Sequence, residues 1–387
     1  MKIGLLLPSI YMHEQFGKNR IFAPGKLGKT LVDGLVEKGH EVFFYTAPGV
    51  QSRAAVVPGD EAVLKPDISY YLFRNRSEEE RKYTTAEIQK RDFEYALTLT
   101  AYKDALKGKL DIIHSYHDFG AHYFNEFAQF PTVYTLHDPM PLSDVTVEYH
   151  RLKLFSHHPY ISISDAQRKN FPINFVATVY HGLNLNEYAY GEGRGGYLIH
   201  FGRILEDKGT HFAIDAAKQT GIPLRIASSS VRANISQGYY EKKIKPQVDG
   251  KRVSEVGFLE GKEKSDYIGN ALAFILPLQW DEPFGLVMIE AMACGTPVIA
   301  YNRGSVSEIV RDGVTGFIID PDDEDRPGKG SRVIKKRGVE GLVEAVKRIG
   351  EIDRAICRKH VEENFTVEKM VEGYEKAYKR ILEGNKK

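Results

Sequence analysis

The chain has 387 residues, 42% of them hydrophobic, and its 53 Lys and Arg balance 52 Asp and Glu to a formal net charge of +1. That length suits two or three domains of about 150 residues, and the even balance argues against a nucleic-acid binder held by phosphate contacts. Two cysteines exclude a disulfide scaffold and fit a reducing cytoplasm, and no run of about 18 apolar residues marks a membrane span.

The apolar start, MKIGLLLP, reads as a first buried strand rather than a signal peptide. From there, short apolar runs alternate with longer amphipathic stretches, the pattern of repeated βα units and a parallel sheet. Strand candidates in the first half are KIGLLLP (2–8), HEVFFYT (40–46), LDIIHSY (110–116), TVYTLHD (132–138) and YISIS (160–164). Between the first two, LGKTLVDGLVEKGH predicts a helix ended by Gly39. The basic amphipathic stretch 81–109 reads as a solvated helix, with docking on a membrane surface as its alternative. A Gly-rich break, YGEGRGG (190–196), reads as a flexible joint. The second strand series is YLIHFG (197–202), LRIAS (224–228), RVSEVGF (252–258), LAFILPL (272–278) and TPVIAYN (296–302). The acidic-then-basic stretch 321–337 reads as a solvated loop, and the chain from about Glu351 reads as helical, with Phe365, Tyr374 and Tyr378 needing a surface to bury against. The expectation is an α/β chain of two doubly wound Rossmann-like domains, 1–189 and 190–365, followed by a C-terminal helix over 366–387.

Open parallel sheets bind ligands at the carboxyl ends of their strands. Polar residues gather there: His114 and His117, His137 and Asp138, Ser164 and Asp165, then Gly202 and Arg203, and finally Trp280, Asp281 and Glu282. Two such rims facing each other predict an interdomain cleft. The most informative stretch is LPLQWDEPFGLVMIEAMACGTPVIAYNRGSVSEIV (276–310), which reads strand, tight turn, helix, strand. Pro283 suits a first helical turn, Gly285 allows close backbone approach, and the N–H groups of Phe284, Gly285 and Leu286 predict an anion site for a diphosphate. Glu290 falls in the middle of a helix apolar nearly all round, where a carboxylate needs a partner: a structural ion pair or a ligand hydroxyl. In HFGRILEDKGTH (200–211), Arg203 offers forked donors and Lys208 a compact charge, together suited to a leaving diphosphate.

These two segments resemble glycosyltransferase family 4, whose members have the GT-B fold. The likeness is strongest in FGRILEDKG and EPFGLVMIEAMACGTPVIA, where Glu282 and Glu290 keep the E-x7-E spacing. The first-half pieces DIIHSYH, VYTLHD, ISISDAQR and VYHGLN are similar to a subgroup of small-molecule glucosyltransferases that includes tetrahydrobiopterin glucosyltransferase-like proteins. The resemblance implies that Arg203 and Lys208 hold the donor diphosphate, Glu290 the ribose, and Glu282 with the Phe284–Leu286 backbone the transferred sugar. It also implies that Gly202, Gly257 and Phe258 bind the donor, the last two near the base, and that His137 contacts the sugar from the first domain. His117 and Ser164 are expected to meet the acceptor. The family's glycine pair after the first strand is replaced here by FAPGKLGKT, where Gly25 and Gly28 are separated; Gly25 is carried as the donor-binding candidate, and which of the two stands in for the pair stays open. The implied activity is retaining transfer of a hexose, glucose or a relative, from a UDP-type donor to an acceptor hydroxyl on a small molecule, glycan or lipid. No metal or other cofactor is implied, and the C-terminal helix is expected to cross back to the first domain.

Two alternatives stay open. APGKLGKT (23–30) fits a relaxed P-loop, although about fifteen residues separate it from the first strand, and a nucleotide hydrolase would use it. A sugar-nucleotide binding protein without catalysis is the other. GEGRGG (191–196) mimics a dinucleotide fingerprint but precedes a strand instead of following one. His114, His117 and His122 read as cleft lining rather than metal ligands, and His157-His158 as an exposed turn.

Overall fold

The computed structural model describes residues 1–17, 22–65, 77–116, 119–141, 143–169, 171–228, 236–322 and 332–384. They form two compact units: Met1–Ile163 with Asn170–Val179 and Val371–Lys387, and Ser164–Lys169 with Tyr180–Met370.

The first unit is built on strands β1 (Lys2–Leu6), β2 (Glu41–Thr46), β3 (Ala55–Pro58), β4 (Ile112–Ser115), β5 (Thr132–Thr135), β6 (Tyr160–Ser162) and β7 (Phe175–Thr178). All pairings are parallel, in the order β3-β2-β1-β4-β5-β6-β7, so the order reverses between β1 and β4. Strands β4, β5 and β6 are buried throughout, as helices on both faces require. The edge strands β3 and β7 escape the sequence reading because they are four residues long and only partly covered, which leaves no clean apolar pattern.

The helix after β1 runs Ala23–Glu37, so FAPGKLGKT is its first two turns and not a loop, with Pro24 fitting the first turn. The helix sits close on the sheet: a Cβ at Gly28 would lie 2.5 Å from Leu7 Cδ2. The long helix Glu78–Leu106 opens with a reciprocal capping box between Ser77 and Glu80. It is not a solvated helix: Phe93, Leu97, Ala101, Tyr102 and Ala105 are buried in the core of the unit. That face is therefore spent inside the protein and not left for a membrane. Among the described residues no helix is long and apolar enough to cross one.

The last helix, Val367–Gly384, begins in the second unit and continues into the first. There Tyr374 and Tyr378 are fully buried, and His114 bridges the Tyr378 hydroxyl and the Thr135 hydroxyl at 2.7 Å each. Burial, with His137 nearby, holds the His114 imidazole well below its usual range. His114 is thus a core residue and not cleft lining.

The second unit carries β8 (Leu198–Phe201), β9 (Leu224–Ala227), β10 (Val253–Gly257), β11 (Ala273–Leu276), β12 (Val298–Tyr301) and β13 (Gly316–Ile319). They pair in parallel in the order β10-β9-β8-β11-β12-β13, reversing between β8 and β11. Only β13 was not expected from sequence. The Gly-rich break is no flexible joint. The N–H groups of Gly191, Gly193 and Gly195 donate to the carbonyls of Cys294, Gly269 and Asn270, and the Arg354 guanidinium ties down Gly191, Gly269 and Ala271. Most of the 321–337 loop, residues 323–331, lies outside the described residues.

Candidate active site

The reversal in the second sheet separates the carboxyl ends of β8 and β11, and a crevice outside such a point is where doubly wound sheets take ligands. Gly202 and Arg203 follow β8, and Pro277 to Gly285 follow β11. The two loops are locked together. Gln279 N–H donates to the Asp207 carbonyl at 2.7 Å, and Gly209, at φ 69°, presses so closely on the Pro277 carbonyl that no side chain fits.

This docking brings Lys208 to Glu282. Its Nζ lies 2.7 Å from Glu282 Oε2 and 4.3 Å from the centre of the Trp280 ring, with only 13% and 17% of the two charged side chains exposed. Trp280 Nε1 is buried with no acceptor among the described residues. Arg203 is exposed on the same rim, and its guanidinium has no partner among the described residues. Beneath them, His200 on β8 is hydrogen-bonded to the Ile275 carbonyl at 2.9 Å and to the Thr210 hydroxyl at 3.1 Å. Burial pushes its imidazole down to about 4, against the Ile275 bond and helped by Lys208, so the floor of the site is neutral.

Gly285 caps the Leu286–Ala293 helix in the left-handed region, φ 81° and ψ 64°, and a Cβ there would meet Met288 Cε at 2.5 Å. Pro283 therefore precedes the helix instead of occupying its first turn. The N–H groups of Leu286 and Val287 have no acceptor among the described residues, the usual state of a first turn awaiting an anion. The turn is held from behind by the loop after β12. Ser305 N–H donates to the Glu282 carbonyl at 3.0 Å, Ser305 Oγ to the Phe284 carbonyl at 2.7 Å, and Gly304 N–H to Asp281 Oδ1 at 2.8 Å. The Phe284 side chain is core, packed on the His181 ring at 4.7 Å, so only its backbone is offered to a ligand.

Glu290, 9% exposed, meets Lys264 Nζ at 2.6 Å and the Tyr188 hydroxyl at 2.9 Å. Burial, then the Glu290 charge, pushes the Tyr188 phenol up. A carboxylate offers about four acceptor sites, so these two protein partners do not exhaust it. Gly257, at φ 77°, ends β10, two strands away from β8, and Phe258, about half exposed, follows it. Sequence reasoning missed Lys264, Tyr188 and Gly304. The first two leave no local motif, and Gly304 was legible only as a glycine just after a strand.

In the first unit, His137 is half-buried with its ring 4.3 Å from that of Tyr116. Gly25 is buried in the first turn of the Ala23–Glu37 helix, against Phe22 and Met12. His117 lies outside the described residues. Ser164 is not a lining group. It belongs to the second unit, is fully buried, and accepts the Gln167 N–H at 3.0 Å. The same segment is anchored by Glu308, which accepts from Asp165 N–H at 2.8 Å, Ala166 N–H at 2.6 Å and the Tyr180 hydroxyl at 2.9 Å. The P-loop reading fails on geometry. Residues 23–30 are helical, their amides do not form a phosphate-cradling loop, and Lys29 is paired with Asp33 at 2.7 Å.

Residues 192–329 match the family model described as Glycosyl transferases group 1. An uncharacterised glycosyltransferase of Methanocaldococcus jannaschii is 28% identical over 212 residues, 54% of this chain and 54% of that protein. The chain spans about half the length, or less, of the first curated relatives it matches. Among solved structures, sucrose-phosphate synthase from Thermosynechococcus elongatus aligns with a TM-score of 0.71 at 20% identity, over 99% of this chain and 100% of that one. HepE of Anabaena, solved with UDP and glucose, aligns with a TM-score of 0.65 at 17% identity, over 97% and 98%. The two parallel-sheet Rossmann-like units are thus those of the GT-B fold. The sequence match to the glycosyl transferase model falls within the second of these units, over residues 192–329.

Proposed function

We propose that the protein is a retaining glycosyltransferase of the family 4 type, transferring a hexose from a nucleoside diphosphate sugar, with UDP-glucose as the model donor, to an acceptor hydroxyl. The observation that carries this reading is the convergence of Lys208, Glu282, Trp280 and the first helical turn at Leu286, whose amides have no acceptor among the described residues, on the crevice between β8 and β11. That HepE was solved with UDP and glucose is in keeping with it.

In this reading the second unit holds the donor. The first-turn amides and the Lys208 ammonium, with Arg203 at the rim, receive the diphosphate. When the bond from the anomeric carbon to the diphosphate oxygen breaks, the electron pair stays on that oxygen, and preorganised positive charge stabilises it. Glu282 orients the sugar through its free oxygen and holds the Lys208 ammonium with the other. Glu290 accepts from the ribose with the capacity that Lys264 and Tyr188 leave, and Gly257 and Phe258 flank the base. The acceptor, a small molecule, glycan or lipid headgroup, is bound by the first unit, with His137 contributing from there. The leaving phosphate oxygen takes the acceptor's proton as the new bond forms on the same face, giving retention without a nucleophilic carboxylate. Glu282 as nucleophile is the second path, disfavoured by its ion pair. No metal is required by this scheme. Both cysteines are buried and unpaired, which suits a cytoplasmic enzyme.

The test is thermal-shift screening against UDP-, GDP- and ADP-sugars. A higher melting temperature with one sugar nucleotide, and release of its nucleoside diphosphate on turnover, is the expected result. Binding with no turnover over a broad acceptor panel would indicate a non-catalytic sugar-nucleotide binder, and no shift with any donor would reject the proposal.

A further inference from the structure

Away from the carboxyl ends, the opposite edge of the first unit's sheet carries a second chemical cluster. A cavity of about 600 Å³ opens beside the starts of β5 and β6, lined among others by Glu126, His157, His158, Asn174 and Arg380. The helix Phe119–Ala128 projects Glu126 into it, and the turn that leads into β6 supplies the two histidines. Glu126 Oε1 lies 3.0 Å from His157 Nε2 and 3.0 Å from His158 Nε2. The ligand-type atoms of all three fall within 4.8 Å of one another.

The expectation of an exposed His157-His158 turn holds for the first residue and fails for the second. His158 is 5% exposed, stacked at 8° on Tyr134 and flanked by Phe155. Its Nδ1 is 2.8 Å from Nδ1 of His122, which is itself fully packed against Tyr134. His122 thus fixes the ring plane of His158, and with His158 Nδ1 donating and His122 Nδ1 accepting in that bond, the His158 Nε2 lone pair faces Glu126 and His157. This is the outer support that a metal-binding histidine normally has. Glu126 and His157 are open to solvent, which gives an ion an entry path.

We propose that Glu126, His157 and His158 form a divalent transition-metal site, taking Zn²⁺, with water from the cavity as the remaining ligand. Two imidazole nitrogens and one carboxylate oxygen are the donor set that a borderline-soft cation selects over Mg²⁺ or Ca²⁺. Bonds of about 2.0 Å in tetrahedral geometry separate neighbouring ligand atoms by about 3.3 Å. The two nitrogen–oxygen spacings here already approximate that value. An ion there clips the Phe119–Ala128 helix to the turn entering β6, which makes it a structural clamp remote from the donor chemistry proposed above.

The experiment is titration of the chelator-stripped full chain with zinc chloride, read by calorimetry and by melting temperature. Wild type is expected to take one equivalent with a dissociation constant of about 1 µM or tighter and to melt several degrees higher with zinc. E126Q and H157A should each weaken binding at least ~10-fold and lose the rise in melting temperature. Both altered side chains are exposed, so the metal-free variants should melt with the wild type; E126Q keeps the shape of the residue and tests the idea independently of any packing loss in H157A. Wild type that takes no zinc, or variants that bind it as tightly as wild type, would overturn the proposal.

Discussion

Replacing Lys208 by Ala tests the proposed donor site at its centre. The ammonium is 2.7 Å from Glu282, and both side chains are less than a fifth exposed. At that distance the attraction is ~6 kcal/mol with an effective dielectric of 20 and ~1.5 kcal/mol in bulk water, before desolvation is subtracted. Because Glu282 can regain water through its exposed edge, the loss of folding stability should be only about 1–2 kcal/mol, well short of a fully buried pair. Turnover should suffer more. Removing one preorganised group that stabilises developing charge costs about 10²–10³-fold, or roughly 3–4 kcal/mol of barrier. The assay is nucleoside diphosphate release at saturating donor, alongside urea unfolding. A cycle with Glu282→Gln separates two roles. If Lys208 acts only by holding Glu282, the double variant is as slow as Glu282→Gln alone. If it acts on the diphosphate, the double variant is slower. A Lys208→Ala enzyme turning over within about threefold of wild type at saturating donor would refute the reasoning.

Arg203→Ala, at an exposed position with no partner among the described residues, should lower turnover ~10²-fold while leaving the unfolding midpoint unchanged; near-normal rates at saturating donor would remove Arg203 from the chemistry. Glu290→Gln should weaken donor binding at least ~10-fold in calorimetry, as loss of a charged acceptor implies, and equal affinity would reject its ribose role. Gly304 has φ 54°, and a Cβ there would come within 2.5 Å of the Glu282 nitrogen, so Gly304→Ala should cost more than the ~1–2 kcal/mol of the left-handed conformation alone; a melting temperature equal to wild type would contradict this. Below its ordinary 6.5, His200 is protonated in the unfolded chain but refuses the proton in the folded one down to about 4. Stability should therefore fall by about 3 kcal/mol across that window through this group, a loss absent from His200→Asn, and parallel urea curves for the two proteins would sink the assignment.

The sequence carried the sheet interiors well because strands covered on both faces must be continuous apolar runs. KIGLL, IIHS and AFIL need no context to be recognised. It failed at edges such as AVVP and FVAT, whose pattern is diluted by solvent. The motif glycine Gly285 and the Lys208–Glu282 neighbourhood were legible because a helix start and a charged loop each leave a local signature. What was invisible is long-range. Nothing around Glu290 announces Lys264, 26 positions away, or Tyr188, 102 away. Ser164 looked like a rim residue because it follows a strand, yet Glu308, 142 residues from Ala166, draws that segment into the second unit and buries it.

The return of Val371–Lys387 to the first unit has a bearing on synthesis. A ribosome makes every strand of the first sheet by Thr178, but Tyr374 and Tyr378, which cover His114, emerge only after Met370 has closed the second unit's own set of segments. Vectorial synthesis thus lets the later-encoded unit reach its full complement first, reversing the usual N-to-C order of domain folding. The early sheet must wait, with His114 uncovered where two phenols belong, until the last helix arrives to finish it.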